Sequence, residues 1–178
     1  MGLGHPIIAV VTRETRLAGL KARWATARQA AFRLQLAAAH EIELRRNRRA
    51  KGRRTPAADD DAELAVAAEA LADDMEYEDE DRVYRDSLAQ LLREIDVGFP
   101  LKTVDRALVS NFDFRRCLAV VVIGQDGLVA NTAKYASDLP IIGVNPDPAR
   151  YDGVLLPFGV RHARNAVRRA IEGNADWR

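Results

Sequence analysis

The chain has 178 residues, 48% of them hydrophobic, which predicts one compact domain over residues 1–178 and argues against two. Its 27 Lys and Arg nearly balance 26 Asp and Glu, so overall charge does not direct it to nucleic acid or a membrane surface. The single cysteine excludes an internal disulfide, the three histidines lack zinc-site spacing, and no apolar run approaches the roughly 20 residues that span a bilayer. The composition therefore indicates a cytoplasmic protein that neither carries its own metal site nor enters a membrane.

The first predicted elements are a strand and a long helix. Residues 7–12, Ile-Ile-Ala-Val-Val-Thr, are apolar and mostly β-branched, which is typical of a parallel strand covered on both faces. Between residues 25 and 44, alanine and leucine recur at helical spacing, which predicts a long amphipathic helix.

A charged segment at about residues 45–82 interrupts this pattern. Residues 45–54 carry seven positive charges, and residues 59–81 carry twelve acidic residues and no basic one. Blocks of like charge usually indicate solvated chain, so we interpret the segment as a charged insertion in the domain. The basic block could bind phosphate or nucleic acid, but it lacks interleaved aromatic residues for base stacking, so we expect no nucleic-acid partner.

Helical periodicity returns over residues 83–95, where apolar residues lie three or four positions apart and predict a second crossover helix. Gly98 and Pro100 predict the end of that helix. Residues 101–104 then form a short predicted strand.

The most informative segment begins with another strand of the fully buried kind. Residues 118–123, Leu-Ala-Val-Val-Val-Ile, run directly into Gly124-Gln125-Asp126-Gly127, and the following residues can continue as a helix. A strand, a tight glycine turn and a helix in this order direct backbone N–H groups towards an anion. Gly124 and Gly127 also leave room for a phosphate to approach the main chain. We therefore predict an anion site centred on residues 124–127.

Asp126 is unusual at this site, because a carboxylate beside phosphates is unfavourable unless it has a specific task. It could orient a metal ion or a ribose, or accept a proton from an attacking hydroxyl, and is therefore the catalytic candidate. Asp is also a preferred N-cap residue of helices, so a capping role is the alternative, and the two roles can coexist.

Two further polar residues follow the next predicted strand. This strand, residues 140–144, ends in Asn-Pro-Asp-Pro, a turn that its prolines make rigid. Ligands of parallel α/β sheets bind at the carboxyl ends of the strands, where loops diverge. Asn145 and Asp147 therefore join the candidate binding residues.

The carboxyl end of the first strand adds Thr12 and Arg13 to this set by the same argument. Arg13 could supply a cation for phosphate, although a solvent-facing charge or a partner of a helix end is the alternative. Asn131 lies four residues beyond Gly127 on the predicted helix and could reach back towards the turn, or could be an ordinary packing or surface residue.

Residues 119–158 resemble the NAD kinase and diacylglycerol kinase-like superfamily, on the strings V-V-V-I-G-Q-D-G-L-V-A-N-T-A-K-Y and I-I-G-V-N-P-D-P-A-R-Y-D-G-V-L-L-P-F. They are most similar to the ATP-NAD kinase-like branch, in which G-Q-D-G replaces G-G-D-G-T. A weaker resemblance extends over residues 6–40. Together, these resemblances imply that the chain is the amino-terminal, nucleotide-binding domain of such a protein. They imply a Rossmann-like α/β fold with a parallel sheet flanked by helices.

The resemblance also implies roles for particular residues. In that family the glycine-rich loop contacts nucleotide phosphates, and its Asp assists phosphoryl transfer to the 2′-hydroxyl of NAD. Asp126 would take the catalytic role, Gly124, Gln125 and Gly127 would line the phosphates, and Asn145 matches the Asn of the family's G-V-N loop. ATP and magnesium are the implied cofactors and NAD the implied substrate, and the resemblance suggests self-association as a homo-oligomer.

The chain departs from the family pattern in several places. Gln125 replaces a glycine, Leu128 replaces a threonine, and residues 151–153 replace the usual glycine-rich turn. Family members continue into a β-rich carboxyl-terminal domain, whereas this chain ends after a predicted basic amphipathic helix at residues 160–172. The resemblance thus implies a phosphotransferase that is incomplete as this chain alone. The alternatives are a non-catalytic nucleotide-binding or regulatory module and a kinase for a sugar or lipid hydroxyl.

Overall fold

The computed structural model describes residues 5–24, 36, 40, 43 and 59–173. The main elements in these ranges are β1 (Ile7–Thr12), α1 (Arg16–Trp24), α2 (Asp59–Glu94), β2 (Leu101–Asp105), β3 (Cys117–Ile123), α3 (Asp126–Ala136), β4 (Ile141–Asn145), β5 (Phe158–Gly159) and α4 (Ala163–Ile171). Short 3-10 helices occupy Arg106–Asn111, Phe114–Arg116 and Val160–His162. The predicted helix at 25–44 and the basic block at 45–54 lie almost entirely outside the described residues.

The five strands form one all-parallel sheet in the order β2-β1-β3-β4-β5. β1 pairs with β2 on one side and with β3 on the other. The chain therefore adds β2 beside β1, returns across β1 to β3, and continues outward through β4 and β5. The direction of strand order reverses between β1 and β3, which is where doubly wound sheets open a crevice at the carboxyl ends of their strands.

Helices cover both faces of this sheet, because successive side chains of its central strands point to opposite faces and are apolar on both. One core combines Ile8 of β1 with Leu91 of α2 and with residues of β3, β4 and α4. The other combines Val11 of β1 and Val122 of β3 with Leu128 of α3. The expected fold class, an α/β protein with a parallel sheet flanked by helices, is confirmed.

The four strands expected from apolar runs at 7–12, 101–104, 118–123 and 140–144 all form, with ends that move by at most one residue. The crossover helix expected over residues 83–95 is the last part of α2, and α2 begins much earlier, at Asp59. The acidic block at 59–81 is thus helical, which its many Ala, Glu and Leu residues and its lack of Gly and Pro favour. The short strand β5 and helix α1 had not been expected.

The chain divides into two compact units, one made of Met1–Glu14 with Val83–Arg178 and the other of Thr15–Arg82. The first unit contains the whole sheet. In the second unit, the Thr15 hydroxyl donates to Asp81 at 2.5 Å and Arg16 lies 3.8 Å from Glu80, so α1 and α2 are joined there by polar contacts. Throughout the described ranges, every helix is too short or too polar to cross a membrane.

Candidate functional site

The carboxyl ends of β1 and β3 lie side by side at the reversal of strand order, with Val11 paired to Val122. Arg13 follows β1 and Gly124 follows β3. A Cβ added to Gly124 would lie 3.4 Å from Cδ of Arg13 and 3.2 Å from a methyl group of Leu128. The Arg13 side chain therefore lies beside Gly124, so the structure brings two of the predicted site residues next to each other.

Two tyrosine rings lie near the guanidinium group of Arg13. Its guanidinium carbon is 5.0 Å from the ring centroid of Tyr84 and 5.8 Å from that of Tyr151, within the range of cation–π attraction. Its Nη2 donates to the Tyr151 hydroxyl at 3.3 Å. Arg13 is therefore a positioned cation, and the alternative of a freely solvated surface charge is wrong.

Tyr84 joins the ends of the two strands that flank the reversal. Its hydroxyl accepts a hydrogen bond from the backbone N–H of Arg13 at 2.9 Å and donates to the carbonyl of Ile123 at 3.3 Å. The side chain is only 4% exposed, and this burial raises the pKa of Tyr84 above its ordinary value of 10.0. The phenol therefore remains a protonated donor over the physiological pH range.

Asp126 is the first residue of α3 and binds the loop that follows β4. Its Oδ1 accepts the backbone N–H of Leu155 at 2.9 Å and its Oδ2 accepts that of Val154 at 3.0 Å. The N-cap position belongs to Gln125, which makes no side-chain capping bond, so the capping alternative for Asp126 is wrong. A carboxylate offers about four acceptor positions, so two amide bonds leave Asp126 able to accept another donor.

The glycine turn has one open side. The N–H of Gly124 donates to the Val144 carbonyl at 3.4 Å, and the N–H of Leu128 donates to the Gln125 carbonyl at 2.9 Å. The amides of Asp126 and Gly127 lie between these bonds, in the first turn of α3, where N–H groups have no acceptor within the helix. Gly127 is exposed, and a Cβ added there would meet no described atom within 4 Å. Any ligand at the turn would therefore approach Gly127 and the exposed Gln125.

Asn145 and Asp147 shape the loop after β4. Asn145 is buried, its Nδ2 donates to the Tyr151 carbonyl at 2.8 Å, and its Oδ1 accepts the N–H of Asp147 at 3.0 Å. The Asp147 carbonyl accepts the N–H of Tyr151 at 3.0 Å, and its carboxylate lies 3.7 Å from Nε of Arg150. These bonds turn the chain so that the Tyr151 ring reaches Arg13.

The same loop then folds back over β4. A Cβ added to Gly143 would lie 2.0 Å from the carbonyl oxygen of Leu155, so only glycine permits this approach. Gly153 has a φ of +62° and lies against Asn145. Hydrogen bonds to Asn145 and to the carboxylate of Asp126 therefore hold the loop, and Gly143 leaves the space that the loop occupies over β4.

Two predicted residues lie further from this arrangement. The Thr12 hydroxyl is buried and donates to the Val104 carbonyl of β2 at 3.4 Å, so it is directed away from β3. Asn131 lies partly exposed on α3, more than one turn beyond the glycine turn.

Sequence reasoning missed Tyr84, Tyr151 and Gly143. A glycine inside a strand is a signal of close backbone approach, so Gly143 could have been found. The tyrosines carry no local signal, because their bonds to Arg13 join residues 71 and 138 positions apart.

Comparison with models of known protein families gave no match to this chain, and comparison with curated proteins also gave none. In the part of the chain that the structure describes, no three His, Cys, Asp or Glu side chains cluster as metal ligands. The fold and the site define a parallel α/β protein with a glycine turn and a held arginine at the reversal of strand order.

Proposed function

We propose that this chain is the nucleotide-binding domain of an NAD-kinase-like phosphotransferase, which in a full-length protein transfers the γ-phosphoryl group of ATP to the 2′-hydroxyl of NAD. The observation that carries the proposal is the position of the Arg13 side chain beside the Gly124 turn at the reversal of strand order. A positioned guanidinium and the first amides of a helix are two groups that bind phosphate well. The resemblance of residues 119–158 supplies the reaction.

The proposed chemistry assigns a separate task to each of these groups. The 2′-hydroxyl oxygen attacks the γ-phosphorus, the bond from that phosphorus to the ADP oxygen breaks, and the hydroxyl proton passes to the Asp126 carboxylate. Arg13 and the amides at Asp126 and Gly127 offset the negative charge that spreads over the phosphoryl oxygens. The amides of Val154 and Leu155 hold the carboxylate in one orientation while its remaining lone pairs accept the proton.

Magnesium would reach this site on ATP. Within the described ranges the carboxylates do not form a preassembled metal site. In phosphoryl-transfer proteins magnesium usually keeps several waters and is held by one or two carboxylates together with the phosphates of the substrate. A magnesium ion at this site would therefore be held mainly by the phosphates of ATP, with one or two carboxylates of the protein.

The direct test combines binding and turnover. Calorimetry would measure ATP and NAD binding to the chain, and an assay with ATP, NAD and magnesium would measure NADP formation by the chain and by a form lengthened with any downstream coding sequence. We expect both forms to bind ATP. We expect Asp126→Asn to reduce NADP formation by the longer form about 100-fold or more, because it removes the proton acceptor.

The matched control is Asp138→Asn, which changes an exposed carboxylate just after α3 and should leave turnover unchanged. Failure of both forms to bind ATP would reject the proposal. Equal turnover by Asp126→Asn and the unchanged protein would reject the role of Asp126.

A second candidate function is a nucleotide-binding module without catalysis. The observation that favours it is the use of both Asp126 oxygens to hold the loop after β4, a structural task that requires no proton transfer. ATP binding without NADP formation in either form would support this second function over the first.

A further inference from the structure

Tyr84 occupies an unusual place for a helical residue, because its hydroxyl bridges the main chains of β1 and β3 at the reversal of strand order. The donor on one side is the N–H of Arg13 and the acceptor on the other is the carbonyl of Ile123. Arg13 directly follows β1 and Ile123 is the last residue of β3, and these two strands flank the crevice. The phenol therefore links the main chains of the two strand ends at the crevice.

The ring of Tyr84 acts on the same arginine through its face. The Arg13 guanidinium carbon lies 5.0 Å from the ring centroid, while the hydroxyl holds the backbone of Arg13. One buried side chain thus constrains both the main chain and the side chain of Arg13. Tyr151 contacts the guanidinium with its own ring and hydroxyl, so two aromatic side chains restrict where the cation can lie.

We infer that Tyr84 is a positioning residue that places the Arg13 guanidinium against the phosphate chain of a nucleotide, with Tyr151 as its second support. The inference rests on the proposed function, since it requires a nucleotide phosphate at the Gly124 turn. Guanidinium geometry matches phosphate oxygens through two parallel N–H bonds, and that match is lost when the planar group is free to rotate. Tyr84 therefore contributes to affinity for the phosphates and not for the base or the sugar.

This assignment separates a positioning role from a merely structural one. A structural defect at Tyr84 would weaken every ligand of the site, whereas a misplaced Arg13 would weaken only charged ligands. The probes are therefore ATP, measured by calorimetry, and adenosine, measured by competition against a fluorescent ATP analogue. Tyr84→Phe removes the two hydrogen bonds and keeps the ring, and circular dichroism would verify the fold of each variant.

We expect Tyr84→Phe to weaken ATP binding about three- to tenfold, because one of the two lost hydrogen bonds holds the backbone of Arg13, and to leave adenosine binding unchanged. Arg13→Lys keeps the charge but loses the planar fork, and should show the same selective loss. This second variant tests the contact of Arg13 with phosphate, which the inference requires, even if Tyr84→Phe fails to fold. Tyr135→Phe, at an exposed tyrosine of α3, is the matched control and should bind both ligands normally.

Three results would overturn the inference. Equal losses for ATP and adenosine would show a structural role for Tyr84, and unchanged ATP binding by both Tyr84→Phe and Arg13→Lys would show that the arginine does not meet phosphate. In both cases the proposed function survives, because the unchanged chain still binds ATP. Absence of ATP binding by the unchanged chain would instead remove the proposed function and this inference with it.

Discussion

The polar side chains at the strand ends differ in how much of their hydrogen-bonding capacity is taken up by contacts within the fold. The side chain of Asn145 hydrogen-bonds within the loop after β4, since it donates to the Tyr151 carbonyl and accepts from the Asp147 N–H. Asp126 serves the same loop through two amides but keeps acceptor capacity. Arg13 is held by rings and a hydroxyl, which orient its charge. Of these three residues, Asp126 and Arg13 remain the better candidates for contact with a ligand, and Asn145 is their support.

Replacing Asn145 tests that division. Asn145→Ala removes both hydrogen bonds of a buried side chain and leaves the Tyr151 carbonyl and the Asp147 N–H to find other partners. We expect the free energy of unfolding to fall by about 1–3 kcal/mol, measured by urea denaturation. Asn131→Ala, at a partly exposed position of α3, should change it by no more than about 0.5 kcal/mol. Equal effects of the two substitutions would contradict the supporting role of Asn145.

Among the elements, the loop between β4 and β5 connects the most parts of the site. It carries Tyr151 to Arg13, presents two amides to Asp126, and folds back over Gly143. The fold-back requires a bare α-carbon in β4, because the Leu155 carbonyl occupies the space of a Cβ. One glycine thus permits the path of a loop that reaches both candidate ligand residues.

Gly143→Ala should therefore displace the loop. A Cβ placed 2.0 Å from a carbonyl oxygen forces the backbone of Leu155 to move, and overpacking of this kind typically costs about 1–3 kcal/mol of stability. Thermal or urea unfolding would measure the loss, and limited proteolysis would show faster cleavage in residues 146–157. Gly127→Ala provides the contrast, since its Cβ would enter open space in a helix and should be neutral or stabilising. Similar stability of the two variants would argue against the tight approach over β4.

Across the molecule, one doubly wound sheet supports every part of the candidate site. Strand order reverses between β1 and β3, the part of α2 from Val83 onward and α3 cover opposite faces, and the loops at the strand ends diverge. The central strands carry apolar side chains on both faces of the sheet. The buried phenol of Tyr84 lies at the carboxyl end of β3, and the buried thiol of Cys117 lies at its amino end. Burial of these two weak acids connects the stability of the sheet with pH.

We expect the protein to lose stability at alkaline pH for this reason. Burial raises the pKa of Cys117 above 9.0 and that of Tyr84 above 10.0. Each group is more protonated in the folded state, so its contribution is complete below its unfolded-state pKa and is lost as pH rises through its folded-state pKa. Urea denaturation at increasing pH would measure the decline. Tyr84→Phe should make the decline above pH 10.0 shallower.

The control for this measurement is Tyr135→Phe, which removes the hydroxyl of an exposed tyrosine. Its stability should decline with pH as steeply as that of the unchanged protein. If Tyr84→Phe declines equally steeply, the buried phenol does not contribute to the pH dependence.

Local composition was sufficient to predict the parallel sheet, its four longer strands and the glycine turn before α3. Continuous β-branched runs such as residues 7–12 are typical of strands that are buried on both faces. The Gly124–Gly127 turn lies where a strand ends and a helix begins. Such reasoning could not identify which strands and side chains contact each other in the fold. Which strands lie side by side, and hence that Arg13 meets Tyr84 and Tyr151, depends on contacts between residues far apart in the chain. Those contacts form because the whole sheet packs between its helices, and no short segment contains the information that aligns them.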